Sequence, residues 1–226
     1  MFNSVIRSTL LLTMALVWLF ATAEGIQKSK KEDEKGSKME NTKEVGVIET
    51  SMGTFEVDLY RSDAPKTVEN FVKLAEKKFF DGMRVHRVSK NFVIQTGDDK
   101  SKDPKKMAEW GTGGKSIYGK EFADELNPNT PSYKEGYKKG VLAMANRGPN
   151  TNTSQFFVML RDNTTLPKNY TIFGKVIKGQ EVVDAIGKVE IIPGAMGPTD
   201  GRPKEDVVIK KITITKAPIV VPEGKK

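Results

Sequence analysis

Two stretches, Met83-Arg-Val-His-Arg-Val88 and Asn91-Phe-Val-Ile-Gln-Thr96, decide the fold class of this chain. Both are short and rich in β-branched and apolar residues, and only Ser89-Lys90 separates them, so the pattern predicts two paired β-strands. Successive side chains of a strand point to opposite faces of the sheet, so His86 and Arg87 are expected on different faces. One of these two side chains is therefore predicted to face the core or a cleft.

The rest of the chain is predicted to contain further short strands, two helices and long loops. An amphipathic helix is predicted to have Asp63 as its N-cap and Pro65 in its first turn and to continue to Phe79. A second, short helix is predicted over Glu181–Ile186. Residues 97–140 are rich in glycine, lysine and proline and are predicted to form long loops, which are usually functional in a compact domain. Many short strands with two helices predict a mostly β fold, a closed or nearly closed β-barrel with helical lids. The other predicted strands are Val45–Thr50, Thr54–Leu59, Gly140–Ala145, Gln155–Leu160, Ile172–Ile177 and Val207–Thr215.

The composition excludes several kinds of catalytic and metal site. The 226 residues include no cysteine and a single histidine, which excludes disulfides, thiolate nucleophiles, cysteine zinc sites and multi-histidine metal sites, so no metal is predicted. A lone strand histidine is more often structural than catalytic, and that interpretation is favoured for His86. The net charge of +8 raises the question of nucleic acid, but the basic residues are dispersed among acidic ones, as in residues 28–44, and no nucleic-acid binding is predicted.

The N-terminus has the layout of a targeting segment. Arg7 precedes the apolar run from Leu10 to Phe20, and Ala21-Thr-Ala23 supplies a small-x-small cleavage pattern. Residues 1–23 are therefore predicted to be a secretory signal peptide, and a stable membrane anchor is the alternative, disfavoured because spanning a bilayer needs about 20 apolar residues. Residues 24–44 are predicted to be a charged flexible linker, 45–216 the folded domain and 217–226 a C-terminal tail. The protein is expected to be exported to the periplasm or the exterior, or to a eukaryotic secretory lumen.

Several motifs stand in an order that resembles one family. Val85-His-Arg-Val88 is followed by Phe92-Val-Ile-Gln-Thr-Gly-Asp98 and then by Gly111-Thr-Gly-Gly-Lys-Ser-Ile-Tyr-Gly119. Ala143-Met-Ala-Asn146, Gly148-Pro-Asn-Thr-Asn-Thr-Ser-Gln-Phe-Phe157 and Tyr170-Thr-Ile-Phe-Gly-Lys-Val176 complete the set. Together they resemble the cyclophilin-type peptidyl-prolyl cis–trans isomerases over about residues 45–216. The resemblance implies a closed eight-stranded antiparallel β-barrel capped by two α-helices, with the site on its outer face.

The resemblance also implies roles for individual residues. Arg87 matches the catalytic arginine, Gln95 its supporting amide, and Phe92 stands beside them in the catalytic set. Other residues match the family positions that form the pocket for the proline ring and the groove for the substrate backbone. The implied substrate-binding residues are Val93, Gly111, Ala145, Asn146, Gln155, Phe157, Leu166 and Tyr170.

This chain departs from the family pattern at three positions. Val93 stands where many members have methionine. Tyr170 stands where eukaryotic members often have histidine, and Leu166-Pro-Lys-Asn-Tyr-Thr-Ile-Phe173 resembles bacterial members. Thr165 occupies the usual tryptophan position, so binding of the inhibitor cyclosporin is expected to be weak.

The implied reaction suits the side-chain inventory. Rotation about an X–Pro amide has a barrier near 20 kcal/mol but makes and breaks no covalent bond, so it needs no nucleophile and no cofactor. The predicted function is isomerisation of X–Pro bonds in proline-containing polypeptides, among them unfolded exported proteins, by a monomer. A noncatalytic proline-peptide binding module or chaperone holdase on the same fold is the alternative.

Overall fold

The computed structural model describes residues 42–218, which form one antiparallel sheet with three α-helices. The helices are α1 (Pro65–Glu76), α2 (Pro131–Glu135) and α3 (Gln180–Lys188), and two 3-10 helices cover Asp99–Lys102 and Pro104–Glu109. The strands are β1 (Thr42–Thr50), β2 (Gly53–Leu59), β3 (Arg87–Ser89), β4 (Val93–Thr96), β5 (Val141–Met144), β6 (Phe156–Met159), β7 (Ile172–Lys178), β8 (Ile191–Gly194), β9 (Gly197–Pro203) and β10 (Ile209–Pro218).

The strand count corrects the prediction of eight. Each of the eight predicted segments contains at least part of a strand, and the β8–β9 hairpin adds two more. The sequence of this hairpin gives little strand signal, because Pro193-Gly-Ala-Met-Gly-Pro198 breaks the alternation with two prolines and two glycines. Its turn uses Gly197 at φ +114°, a conformation that L residues rarely adopt.

Closure of the barrel, also predicted, is not shown. The hydrogen-bonded order is β10-β1-β2-β7-β5-β6-β4-β3-β9-β8, which leaves β10 and β8 as the two ends. The segment before β3 approaches the start of β10 through one isolated bridge, Arg84 to Val208, and through flanking backbone hydrogen bonds such as that from Val85 N to Val207 O at 2.9 Å.

The start of α1 also differs from the prediction that Asp63 caps it. The cap residue is Ala64, which cannot donate or accept through its side chain. Instead, the Glu125 carboxylate accepts hydrogen bonds from the backbone N–H groups of Lys66 and Thr67 at 3.0 and 2.9 Å. A carboxylate from a distant loop thus satisfies the exposed donors of the first turn, where the helix dipole also favours a negative charge.

The predicted number of helices was too low, because α2 lies inside the segment predicted as loop and has only five residues. The described residues include no helix long and apolar enough to cross a membrane. The predicted signal peptide, the predicted linker up to residue 41 and the tail from residue 219 lie outside the described residues.

Strands β5 and β6 bury both of their faces, and β4 does so except at the half-buried Gln95. The apolar residues of these strands are therefore divided between two clusters. The inner cluster is centred on Phe71, Phe156 and Phe173 and includes Ile94, Leu142, Met144 and Val158. The outer cluster consists of Val93, Tyr137, Val141, Ala143, Phe157, Met159 and Ile172, with the partly exposed Tyr60, Phe92, Ala145, Leu166 and Tyr170 packed against it. Neighbours along a strand, such as Phe156 and Phe157, therefore belong to different clusters, as the alternation of strand side chains requires.

Candidate active site

Strand register aligns the central site residues in one row across the sheet. Arg87 on β3 pairs with Gln95 on β4, Gln95 pairs with Phe157 on β6, and Phe157 pairs with Ala143 on β5. Directly opposed residues on neighbouring strands point to the same face with Cβ atoms about 5 Å apart. The antiparallel pairing therefore brings a guanidinium, an amide and an aromatic ring together on the outer face.

A chain of hydrogen bonds fixes the polar side chains of this row. Arg87 Nη1 donates to Gln95 Oε1 at 3.0 Å, and Gln95 Nε2 donates to Gln155 Oε1 at 3.0 Å. Gln155 Nε2 donates in turn to the carbonyl oxygens of Gly111 and Gly113 at 3.0 and 2.8 Å. In both glutamines the amide oxygen accepts on the side of Arg87 and the amide nitrogen donates on the side of Gly111 and Gly113. This series of hydrogen bonds therefore determines the orientation of both amide groups.

Asp200 is a site residue that the sequence analysis missed. Its carboxylate accepts from Arg87 Nε at 2.9 Å and from Arg87 Nη2 at 2.7 Å, a two-point ion pair. Burial acts to raise the pKa of Asp200, but hydrogen bonds from Arg87 and Ser89 outweigh it and hold the pKa below its ordinary value. Nothing in the local sequence marks this residue, which lies 113 positions from Arg87 and on a strand that was not predicted.

An open cavity of about 200 Å³ lies beside Arg87. Phe157 forms its floor and packs edge-to-face against Tyr170, with ring centroids 5.5 Å apart. The loop that carries Leu166 is held by Asn163, whose Oδ1 accepts a hydrogen bond from Leu166 N at 2.8 Å. The lining residues are Arg87, Phe92, Val93, Gln95, Ala145, Asn146, Phe157, Leu166 and Tyr170.

A smaller polar cleft of about 70 Å³ adjoins this cavity. Gln95, Ala145 and Asn146 line both spaces, while Gly111 and Gln155 line the cleft but not the cavity. Gly111 adopts φ +90°, a conformation that favours glycine over L residues. The eleven residues implied by the family resemblance thus lie around two connected depressions, nine in the cavity and the other two in the cleft.

His86 lies beneath the site and does not line the cavity. Its side chain is buried, and neither ring nitrogen has a hydrogen-bond partner. Burial is the main cause that lowers the pKa of His86 to about 4, with Asp98 opposing and Arg87 adding to the shift. Its imidazole is therefore neutral near pH 7. No group of three or more His, Cys, Asp or Glu side chains arranged for a metal ion occurs within residues 42–218.

Comparison with known proteins identifies the family of the chain. Residues 45–214 match the family model of the cyclophilin type peptidyl-prolyl cis-trans isomerases. The chain is 42% identical over 173 residues to peptidyl-prolyl cis-trans isomerase-like 1 of Neurospora crassa (76% of this chain, 92% of that protein). It is 43% identical over 164 residues to the human protein of that name (73% of this chain, 88% of that protein).

A solved structure is similar over most of the described residues. The crystal structure of a cyclophilin type peptidyl-prolyl cis-trans isomerase from Cryptosporidium parvum superposes with a TM-score of 0.66 at 32% identity. The match covers 78% of this chain and 99% of that structure. The family model spans well over half of the sequence, and the relatives exceed 40% identity over nearly their whole length. The chain therefore belongs to the cyclophilin-type peptidyl-prolyl cis–trans isomerase family.

Proposed function

We propose that the chain catalyses rotation about X–Pro bonds with the proline ring in the 200 Å³ cavity and Arg87 as the catalytic residue. The observation that carries this proposal is the way Arg87 is held. A guanidinium has five N–H donors, and three of them are used by Asp200 and Gln95. The other two donors have no protein acceptor among residues 42–218, Arg87 lines the cavity, and the plane of the guanidinium is fixed from two sides.

This arrangement can favour the twisted amide over both planar forms. As the X–Pro bond rotates, amide resonance is lost and the proline nitrogen regains a lone pair that can accept a hydrogen bond. A donor that interacts more strongly with the twisted state than with either planar state lowers the barrier. Because Asp200 and Gln95 hold Arg87 in place, little reorganisation is needed when the lone pair forms. Arg87 is thus the donor, and Gln95 and Asp200 position it.

The remaining residues suit the binding of an extended polypeptide. Phe92, Phe157 and Leu166 supply apolar walls for a small ring, and Asn146 stands at the boundary between the cavity and the polar cleft. The Cryptosporidium parvum protein has also been crystallised in the presence of the dipeptide Ala-Pro. We therefore assign proline-containing polypeptides as the substrates of this chain, in line with an apolar cavity that adjoins a polar cleft.

The test is an isomerisation assay on the full chain, read by NMR exchange between the cis and trans forms of an Ala-Pro peptide. Acceleration at catalytic enzyme concentration supports the proposal. Binding of the peptide without acceleration would contradict it and favour the noncatalytic module or holdase. A holdase would in addition suppress aggregation of an unfolded client that contains no proline.

We also propose that the enzyme is exported and assists the folding of exported proteins. This rests on the sequence of residues 1–23 and not on the fold. N-terminal sequencing of the protein recovered from the producing cells should give a mature chain beginning near Glu24, and recovery of a full-length chain in the membrane fraction would contradict it. The similarity of residues 166–173 to bacterial members stays a prediction, since the relatives named above are eukaryotic.

Weak inhibition by cyclosporin is a further part of this proposal. Thr165 is exposed and its Oγ1 donates to Asn163 Oδ1 at 3.1 Å, so it offers neither the aromatic area nor the reach of a tryptophan indole. Titration of the drug against wild type and Thr165→Trp should show tighter inhibition of the variant. Tight inhibition of the wild-type enzyme would show that this loop does not govern sensitivity.

A further inference from the structure

A third depression lies on the other side of Arg87 and has not been used by the mechanism above. It measures about 450 Å³ and is bounded on one side by the 3-10 helix Pro104–Glu109 with Trp110, and on the other by the β8–β9 turn. We call it the flanking groove. Arg87 and Gln95 line both the flanking groove and the proline cavity, and Gly111 lines both the groove and the polar cleft. The three depressions therefore form one continuous surface around Gln95.

Large exposed apolar side chains gather along the walls of the flanking groove. Six large hydrophobic residues are exposed within residues 42–218, and three of them, Met107, Ile192 and Met196, line this groove. Met196 has 75% of its surface exposed, the largest value of the six. Exposed apolar residues that gather at one place indicate a binding surface, whereas scattered ones need no explanation.

One wall of the groove is rigid and the other can adapt. The Trp110 indole N–H donates to Asp103 O at 3.1 Å, and the Arg84 guanidinium lies 5.4 Å from the centre of its ring. These contacts hold the indole in a fixed orientation. On the opposite side, Met196 sits in a glycine-flanked turn, and methionine side chains reshape easily around different apolar partners.

The charges of the groove disfavour a cationic occupant. Asp200 is neutralised by its ion pair with Arg87, and burial keeps His86 uncharged. Arg202 is the remaining charged residue of the lining, and within residues 42–218 its guanidinium makes a single long hydrogen bond, of 3.3 Å, to the neighbouring Pro203 carbonyl. A lysine or arginine placed here would meet a like charge, whereas a leucine, methionine or phenylalanine would meet apolar walls.

We infer that the flanking groove binds a large apolar side chain of the polypeptide substrate, a few residues from the proline. This inference rests on the proposed function, because a peptide chain that crosses Arg87 with its proline in the cavity continues along the surface shared by the depressions. It assigns this enzyme a preference for proline segments with apolar neighbours, the kind of segment that an unfolded chain exposes.

The experiment uses the full chain and a set of Ala-Pro peptides extended by four residues at each end. At each added position leucine is compared with lysine, and both kcat/KM by NMR exchange and peptide Kd are measured. At one or more positions leucine should improve kcat/KM and Kd about tenfold over lysine. In Ile192→Asn and Met196→Asn this ratio should fall toward one, whereas Met52→Asn and Ile177→Asn, which replace exposed apolar residues outside the groove, should retain it.

The outcomes separate this inference from the proposed function. Turnover of the unextended Ala-Pro peptide tests the isomerase alone, and the Kd ratio tests the groove even if turnover is absent. A ratio near one at every position, or a ratio that Met196→Asn leaves unchanged, would overturn the inference. Concentration-dependent dimerisation of the wild type that Met196→Asn abolishes would also overturn it, because a second copy would then occupy the groove.

Discussion

The inner and outer clusters are built by the same strands, but the inner one forms a closed core and the outer one lines an open cavity. In the inner cluster, Phe156 packs against the rings of Phe71, Phe80 and Phe173 with centroids 5.6–6.0 Å apart, and only 1% of its surface is exposed. In the outer cluster, Phe157 is nearly as buried at 6% but lies at the floor of an open cavity. One face of the sheet is closed by helix α1, while the other keeps a rim of partly exposed residues.

This difference shows how a small fold can separate stability from chemistry. The ring-against-ring packing of the inner cluster has no polar side chain to satisfy. The outer face carries the polar chain from Asp200 through Arg87 and Gln95 to Gln155, where each buried group needs a partner. Substitutions on the inner face should therefore change the free energy of unfolding, and substitutions on the outer face should change turnover.

The largest expected effect breaks the inner cluster. Phe156→Ala removes a ring from a fully enclosed site and should lower the free energy of unfolding by about 3–5 kcal/mol, because the surrounding rings cannot fill the space. The matched change Phe157→Ala enlarges a cavity already open to solvent, so it should cost less stability and far more activity. Denaturant unfolding and kcat/KM, both measured for each variant, check this. Equal losses of stability would mean that the two faces are not separable.

The next effect is on turnover. Arg87→Ala should lower kcat/KM by two to three orders of magnitude, about 3–4 kcal/mol, with peptide affinity changed far less. Because Asp200 would lose its partner, some stability should be lost as well, so Arg87→Ala/Asp200→Asn is a necessary companion that removes the unpaired carboxylate. Arg61→Ala, which breaks an exposed ion pair with Glu44, is the control and should retain full activity. Near-wild-type turnover by Arg87→Ala would refute the mechanism.

The sequence predicted the central strands better than the edges of the fold. The segments Met83–Val88 and Asn91–Thr96 each contain a strand, and the family motifs indicated residues that the structure brings around the cavity and its adjoining cleft. It did not indicate which face of β5 or β6 carries the site, because runs such as Val141-Leu-Ala-Met144 are buried on both faces and have no polar alternation.

The parts that the sequence did not predict depend on distant contacts. Asp200 belongs to the site only because β9 pairs with β3, and the β8–β9 hairpin has too many prolines and glycines to be identified as strands. In the same way, α1 begins at a carboxylate almost sixty residues away, Glu125, where local rules indicate Asp63. Each of these depends on a pairing between segments, which spacing within one segment does not encode.

A third prediction concerns pH and tests the burial of His86. The pKa of His86 is lowered from 6.5 to about 4 in the folded chain, so between these values the unfolded chain binds the extra proton. The free energy of unfolding should therefore fall as pH drops from 6.5 to 4, by up to about 3 kcal/mol. His86→Leu, which cannot titrate, should flatten this part of the profile.

Carboxylates add to the slope only at the acid end of this window. The pKa values of Asp63 and Asp99 are lowered from 3.8, and those of Glu69 and Glu109 from 4.5, so the stability they contribute begins to be lost below about pH 5. Wild type and His86→Leu share these carboxylates, so the difference between the two profiles reports His86 alone. The measurement is urea unfolding of wild type and His86→Leu at half-unit steps of pH. Identical slopes between pH 4 and 6.5 would show that His86 is not held neutral by burial.

The smallest expected effect sharpens the comparison at the polar edge of the outer face. Asp200→Asn keeps the shape of the side chain but removes the charge that holds the Arg87 guanidinium from one side, while Gln95 still holds it from the other. We expect kcat/KM to fall about tenfold, about 1.4 kcal/mol, mostly in kcat, because the catalytic donor is misaligned and not lost. Asp206→Asn, which breaks the ion pair with Arg84 at an exposed site, is the matched control and should leave kcat/KM unchanged.

In the Arg87→Ala background, Asp200→Asn should have no further effect on turnover, since a residue that acts only through Arg87 cannot act without it. Additive losses in the double variant would instead mean that Asp200 supports the site independently of the arginine.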